Sequence, residues 1–354
     1  MQTYLSFEGN YDELGRYLSA FQRVFLVSGN SFRLLAPGRH LQALEERGDI
    51  RLVRFSDFSP NPCWEEVNAG ITCFQTSGCS LIIAAGGGSA IDTAKCIRLH
   101  AGRDIPLLAI PTTAGSGSEA THFAVVYRNG IKESVDSSLP DAVMLDPSTL
   151  ETLPDYQRKA TMLDALCHAV ESFWSVNSTP ESVAYSKQAL RQIMDNYQGY
   201  LDNDSRGNTG MLWAAHTAGR AINIARTTAG HAMCYQLTKL YGFAHGHAAA
   251  LCLANVWPYL LAHMDRCVDP RGLVYLEDTL NEIGQIMGCA DAQGGVERFR
   301  ALLNSLHLET PAYSEEKLVA LMTSVNAERL NNFPVSLDRE ALCTLYSGIM
   351  NKKD

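Results

Sequence analysis

Through residues 1–153, short β-type apolar runs alternate with stretches of helical periodicity. Residues 23–27 (RVFLV) read as a strand, followed by the turn residues Gly29, Asn30 and Ser31 and a helical pattern reaching Leu44 and Glu46. Residues 51–55 (RLVRF) read as a second strand, closed by the turn signal Ser59-Pro60-Asn61-Pro62. The run 80–85 (SLIIAA) is almost continuously apolar, as expected of a strand buried on both faces, and a helix over 89–100 follows it. Residues 105–110 give a fourth strand, stopped by Pro111. Strands alternating with helices predict βαβ units and a parallel sheet with flanking helices. Beyond Asp146-Pro147 the pattern changes to apolar spacings of three and four, with few β-branched clusters. Leu153-Pro154 marks the change. The expected architecture is an α/β domain over 1–153 and an all-α domain over 154–354.

Two loops of the first domain have ligand-binding chemistry. GGGSAIDTAK (86–95) joins the third strand to its helix, where glycines admit a close ligand and helix-start N–H groups suit a phosphate. It is neither a G-x-G-x-x-G fingerprint nor a Walker loop, and a tight βα turn without a ligand satisfies the same pattern. PTTAGSGSEAT (111–121) follows the fourth strand and adds the hydroxyls of Thr112, Thr113 and Ser116 at the sheet edge where open α/β folds bind ligands. Two such loops on nearby strands favour a dinucleotide.

The helical half holds MLDALCH (162–168), which places Asp164 and His168 at i, i+4 on one face of an apolar helix. Buried there, the two either pair with each other or bind a metal. His231 and His245 lie ~21 Å apart if one helix continues through both. Gly242 can instead turn the chain and bring them together. One carboxylate and three imidazoles form a ligand set suited to Fe²⁺ or Zn²⁺. His40, His100, His216, His263 and His307 read as ordinary core or surface residues.

Charge and cysteine content narrow the function. Lys and Arg number 29 against 38 Asp and Glu, a net charge of −9 with no basic block, which argues against a nucleic-acid or anionic-membrane partner. The ten cysteines form no C-x-x-C and the N-terminus has no secretory pattern, so reduced thiols and a cytoplasmic location are expected. The most apolar segment, 248–264, is broken by Asn255 and Pro258 and is too short to span a bilayer.

Taken in order, GGGSAIDTAK, PTTAGSGSEAT, LDPSTLETLP, DALCHAVES and the GH…HG pair resemble the iron-containing (group III) alcohol dehydrogenase family over roughly residues 20–260. The resemblance implies a dehydroquinate synthase-like architecture: a nucleotide domain followed by a helical metal domain. It implies metal ligation by Asp164, His168, His231 and His245, with Fe²⁺ preferred and Zn²⁺ the alternative. It implies cofactor contacts at Gly86, Gly87, Gly88, Ser89 and Asp92, and at Thr112, Thr113 and Ser116. A homodimer is expected. Three positions depart from the family pattern: Tyr235 stands where many members have a further histidine, Gly29 where NAD-selective members carry an Asp, and Met162-Leu163 where a Gly-containing pair is usual.

The implied reaction is reversible NAD(P)H-linked reduction of a small aldehyde to a primary alcohol, aided by the metal as a Lewis acid. Gly29 removes the residue that repels a 2′-phosphate, and Ser31 and Arg33 are available to accept one, so NADPH is expected over NADH. Segments 120–127 and 226–233 look most like the phosphonoacetaldehyde reductase branch. Arg226, with Thr227, Thr228 and His122, is the expected receptor for a phosphonate, and Tyr235 a candidate proton relay. The alternatives are a generic small-alcohol or glycerol-type dehydrogenase, a dehydroquinate synthase-like lyase, and a binding protein without turnover.

Overall fold

A computed structural model describes residues 2–5, 10–102, 104–325 and 330–350 of the chain. Six strands form one all-parallel sheet: β1 (Thr3–Leu5), β2 (Arg23–Ser28), β3 (Arg51–Phe55), β4 (Leu81–Gly86), β5 (Leu107–Pro111) and β8 (Ala142–Met144), in the order β1-β8-β5-β4-β2-β3. The two-residue period of the strands divides the core in two. Val24 and Leu26 of β2 and Leu81 and Ile83 of β4 pack with Leu14 and Leu18 of α1 (Asp12–Leu18) and Leu41 and Leu44 of α2 (Ala36–Glu46). Phe25, Val27, Ile82 and Ala84 pack on the other face with Phe74 of α3 (Trp64–Ser77) and Ile91, Ala94 and Ile97 of α4 (Gly88–Ala101). Both faces are therefore covered, which explains why β4 has no polar alternation.

The four strands expected from the sequence are all present. The helical pattern after β2 divides into a 3₁₀ turn, Asn30–Leu34, and α2, whose Pro37 sits in the first turn where its missing N–H costs nothing. Four strands were not anticipated. β1 and β8 have only three residues each, too few for a periodicity to show. β6 (Phe123–Arg128) and β7 (Ile131–Asp136) form an antiparallel hairpin outside the main sheet, turned by Asn129 (φ 51°) and Gly130 (φ 75°). Asn-Gly between extended segments is a strong hairpin signal, so this pair was readable in the sequence.

The second half is helical, as expected, with one isolated bridge, Cys267 to Val335, among its described residues. Pro154 precedes α5 (Asp155–Trp174), whose run Met162–Trp174 is buried all round. Around it pack α6 (Pro180–Leu201), α7 (Ser205–Ala225), α8 (Ala229–Tyr241) and α9 (His245–Ala262). Beyond these come α10 (Leu273–Ile286), α11 (Ala292–Ser305), α12 (Glu315–Ser324) and α13 (Arg339–Ile349). None of the ten cysteines is in a disulfide, and no described helix is long and apolar enough to cross a membrane.

Candidate functional site

A cleft of about 530 Å³ runs between the carboxyl end of the sheet and the helical half. On the sheet side, α4 begins at Gly88 without a side-chain cap, leaving its first N–H groups available to an anion. The second loop packs directly on the first. A Cβ on Gly87 would stand 3.2 Å from Thr113 Oγ1, and one on Gly88 3.1 Å from Ser116 Oγ. Gly88, Ser89, Asp92 and Ser116 line the cleft, whereas Gly86, Gly87, Thr112 and Thr113 lie outside that lining.

Asp92 has its oxygens engaged by the protein. Oδ1 accepts from the Ser118 hydroxyl and Oδ2 from the Val125 N–H at 2.9 Å, with Lys95 Nζ 3.8 Å away. Lys95 donates to Ser118 Oγ, Thr121 Oγ1 and the Phe123 carbonyl at 2.9–3.1 Å, and burial brings its pKa down to about 8 against the pull of Asp92. The pair ties α4 to the second loop and the hairpin.

The helical wall brings the four expected ligands together. The αL residue Gly242 (φ 71°) ends α8, and the chain reverses so that His245 opens α9. The His231 and His245 rings then lie 5.4 Å apart, and His168 stacks on His231 at 4.6 Å. The Nε2 atoms of His168, His231 and His245 stand 3.9, 3.5 and 3.9 Å from one oxygen, Asp164 Oδ1. This closeness needs Gly246: a Cβ there would fall 2.0 Å from the Ala160 carbonyl and 2.5 Å from Asp164 Cβ, forcing α9 off α5.

Asp164 Oδ1 and His231 Nε2 are buried without a hydrogen-bond partner, a costly state that a cation between them relieves. The donor set fits Fe²⁺ or Zn²⁺. Burial pushes the Asp164 carboxyl up, but the three imidazoles overcome it and hold the group below the usual carboxylate range. Burial lowers His168 to about 4 and depresses His245, leaving both rings neutral and able to ligate. On His231 the Glu171 and Asp164 carboxylates outweigh burial and raise the ring to about 9. Behind each ring stands a second partner: the Gly115 carbonyl 3.3 Å from His168 Nδ1, Glu171 on His231 Nδ1, and Cys234 Sγ 3.6 Å from His245 Nδ1.

The rest of the cleft is walled by the hairpin and the residues before α8. The paired residues Phe123 and Asp136, Val125 and Ser134, and Tyr127 and Lys132 all face it. Arg226 lines it from a strained position (φ 62°), with its guanidinium 4.2 Å over the Phe123 ring. His122 does not line the cleft. It stands beside Arg226, 3.3 Å from Nη2, and 3.9 Å from Asp136. Thr227 and Thr228 both line the cleft, but the Thr228 hydroxyl donates to Glu171 at 2.6 Å and accepts from Trp174, so it is committed to the protein and not offered to a ligand as expected. Tyr235 lies parallel to the His245 ring at 5.6 Å, with Lys132 Nζ 3.3 Å from its ring centre.

Gly29 and Arg33 line a second cavity of about 550 Å³ at the end of β2, while Ser31 is exposed outside its lining. Glu45 and Arg54, neither anticipated, also line it and pair at 2.6 Å, and Glu45 further accepts the Leu52 N–H. Glu171 and Lys132 were likewise missed. Glu171 sits three residues after His168 and seven after Asp164, a helical spacing that shares their face and was legible.

Comparisons with known proteins agree with this geometry. Residues 2–147 match the model "Iron-containing alcohol dehydrogenase", and residues 159–349 match "Fe-containing alcohol dehydrogenase family, C-terminal". Phosphonoacetaldehyde reductase of Streptomyces viridochromogenes is 31% identical over 73% of this chain and 73% of its own. A crystal structure of an iron-containing alcohol dehydrogenase from Thermotoga maritima superposes with a TM-score of 0.84 at 25% identity, covering 99% of this chain and 98% of that one. Sulfoacetaldehyde reductase from Bifidobacterium kashiwanohense in complex with NAD⁺ has the same fold, with a TM-score of 0.84 at 24% identity and coverage of 99% and 98%.

Proposed function

The chain belongs to the iron-containing alcohol dehydrogenase family, and from that premise we propose that it reduces phosphonoacetaldehyde to 2-hydroxyethylphosphonate with NADPH. The observation that carries the chemistry is the convergence of three imidazole Nε2 atoms on Asp164 Oδ1 in the cleft that α4 opens onto. Asp164, His168, His231 and His245 would hold the metal. When bound, the metal supplies a Lewis acid for the carbonyl and the reduced nicotinamide supplies the hydride. The α4 N-terminus, Ser89 and Ser116 receive the pyrophosphate, with Gly86, Gly87, Thr112 and Thr113 shaping the loops behind. Tyr235, whose ring stacks on His245, is the side chain we assign to pass a proton to the product oxygen, a role that water or a cofactor ribose hydroxyl could also fill.

The substrate's head group is the finer part of the reading. Arg226 presents a guanidinium to the cleft from a net-negative chain, and a phosphonate needs such a local cation. His122 supports Arg226 from behind. The preference for NADPH rests on Arg33 in the second cavity and on the pairing of Glu45 by Arg54, which neutralises one of the two acids, Glu45 and Glu46, that line it.

The test is NADPH and NADH oxidation by Fe²⁺- and Zn²⁺-loaded protein with phosphonoacetaldehyde, propanal and glyceraldehyde. The proposal expects the highest kcat/KM with the phosphonate and NADPH. Activity with propanal but none with the phosphonate would reduce the reading to a generic small-aldehyde reductase. No steady oxidation with any aldehyde would move it to a lyase or a binding protein.

A further inference from the structure

His231 differs from the other two imidazoles in what stands behind it. Its Nδ1 meets a buried carboxylate, Glu171, where His168 has a carbonyl and His245 a thiol. The carboxylate is divided between two tasks. Its Oε1 accepts from the start of α8: the Thr228 N–H at 3.2 Å, the Thr228 hydroxyl at 2.6 Å, the Gly230 N–H at 2.9 Å and the His231 N–H at 3.4 Å. These are helix-start donors with no partner inside their own helix, and an anion there is favoured. Oε2 is left for His231 Nδ1.

A neutral imidazole carries one proton, and its position decides whether Nε2 has a lone pair for a metal. On the Nε2 side the nearest group is Asp164 Oδ1 at 3.5 Å, which makes no hydrogen bond with it, so Glu171 gives the ring its only close acceptor. We infer that Glu171 is a positioning residue that holds the His231 proton on Nδ1 and so leaves the Nε2 lone pair to the metal that it would share with Asp164. The inference rests on the reading of Asp164, His168, His231 and His245 as metal ligands.

Glutamine at 171 has almost the same shape but the opposite effect. Its carbonyl oxygen must stay with the four α8 donors, so its NH₂ faces Nδ1. A donor there favours the Nε2–H tautomer and closes the metal position. Aspartate remains an acceptor on both oxygens but is shorter by one methylene. A role in packing alone therefore ranks Gln above Asp, whereas tautomer control ranks Asp above Gln.

The experiment titrates metal-stripped parent, Glu171→Gln and Glu171→Asp with Co²⁺, read by visible absorption, with circular-dichroism melting of each metal-free protein beside it. Gln is expected to weaken Co²⁺ binding at least tenfold, in the range found when an outer partner of a ligating histidine is lost, and Asp to retain more affinity than Gln. Co²⁺ binding by Gln as tight as that of Asp, or tighter, overturns the inference while leaving the metal site standing. A parent that takes up no Co²⁺ overturns the metal reading and this inference together. Two-bond ¹H–¹⁵N correlations on the Zn²⁺-loaded parent need no substitution. They are expected to show His231 protonated at Nδ1, and protonation at Nε2 overturns the assignment.

Discussion

On the sheet side of the cleft, much of what faces a ligand is backbone: the uncapped N–H groups of α4 and a loop fold that glycines permit. On the helical side the working groups are four side chains drawn from α5, α8 and α9, the three imidazoles each held by a partner behind the ring. The two walls should therefore fail differently. Backbone donors survive the loss of a neighbouring hydroxyl, because their direction is set by the helix. Side-chain ligands have no such reserve, and each depends on the packing of a helix pair, such as the contact of Gly246 with Ala160 that seats α9 on α5.

The sharpest contrast comes from His245→Ala. Removing one of four ligands is expected to strip the metal and lower kcat/KM by ~10³-fold or more, on the scale of losing a main electrostatic stabiliser of the transition state. NADPH binding to the sheet wall, followed by nicotinamide fluorescence, should change less than threefold. Equal metal content in variant and parent would remove His245 from the ligand set.

Arg226→Ala tests whether the helical wall also reads the substrate. Loss of one charge-assisted contact costs about 1.5–3 kcal/mol, which is roughly 10–150-fold in KM for phosphonoacetaldehyde. Propanal, which has no anion, should be nearly unaffected. Parallel losses for both aldehydes would make Arg226 a structural residue of the strained turn before α8.

The helical wall should also respond to pH. In metal-free protein the His231 pKa is raised to about 9, above the ordinary 6.5, so the folded state holds a proton that the unfolded chain releases. That stabilisation is complete below pH 6.5 and is lost as pH rises through 9. Metal-loaded protein has no such proton to lose, because Nε2 is engaged. The gap in Tm between loaded and metal-free protein should therefore widen by several degrees from pH 6.5 to 9. A constant gap would mean that His231 does not carry the linkage.

The smallest effect is expected from Ser89→Ala on the sheet wall. The Ser89 hydroxyl donates to the Pro60 carbonyl, while the N–H groups at the start of α4 stay in place. KM for NADPH should rise no more than about threefold, since the hydroxyl is already given to Pro60 and the backbone donors persist, leaving a loss near the low end, ~0.5 kcal/mol, of a neutral hydrogen bond. A rise of 30-fold would show that the hydroxyl carries the cofactor contact and would erase the contrast between the walls.

Local pattern was enough for much of this protein. Strands β2 to β5, the change to helices beyond Pro154, the two glycine-rich loops and the pairing of Asp164 with His168 on one face follow from periods of two and 3.6 residues, which any short stretch displays. Gly242 was a readable hinge between His231 and His245 because αL geometry belongs to the residue itself. Other features depended on what lies across a gap. Nothing local to residue 228 says that its hydroxyl is given to Glu171, nor does the region around His122 place that ring beside Arg226. Nor does Glu45, on α2, disclose that it meets Arg54 in the cavity beside Gly29. Such choices are made by partners 9 to 104 residues apart in the chain, which compete for the same few buried donors and acceptors. Hydrophobic periodicity decides which face of an element is buried. Which polar group then satisfies which is decided only when the elements meet, because a buried polar atom takes the partner that packing brings within 3 Å.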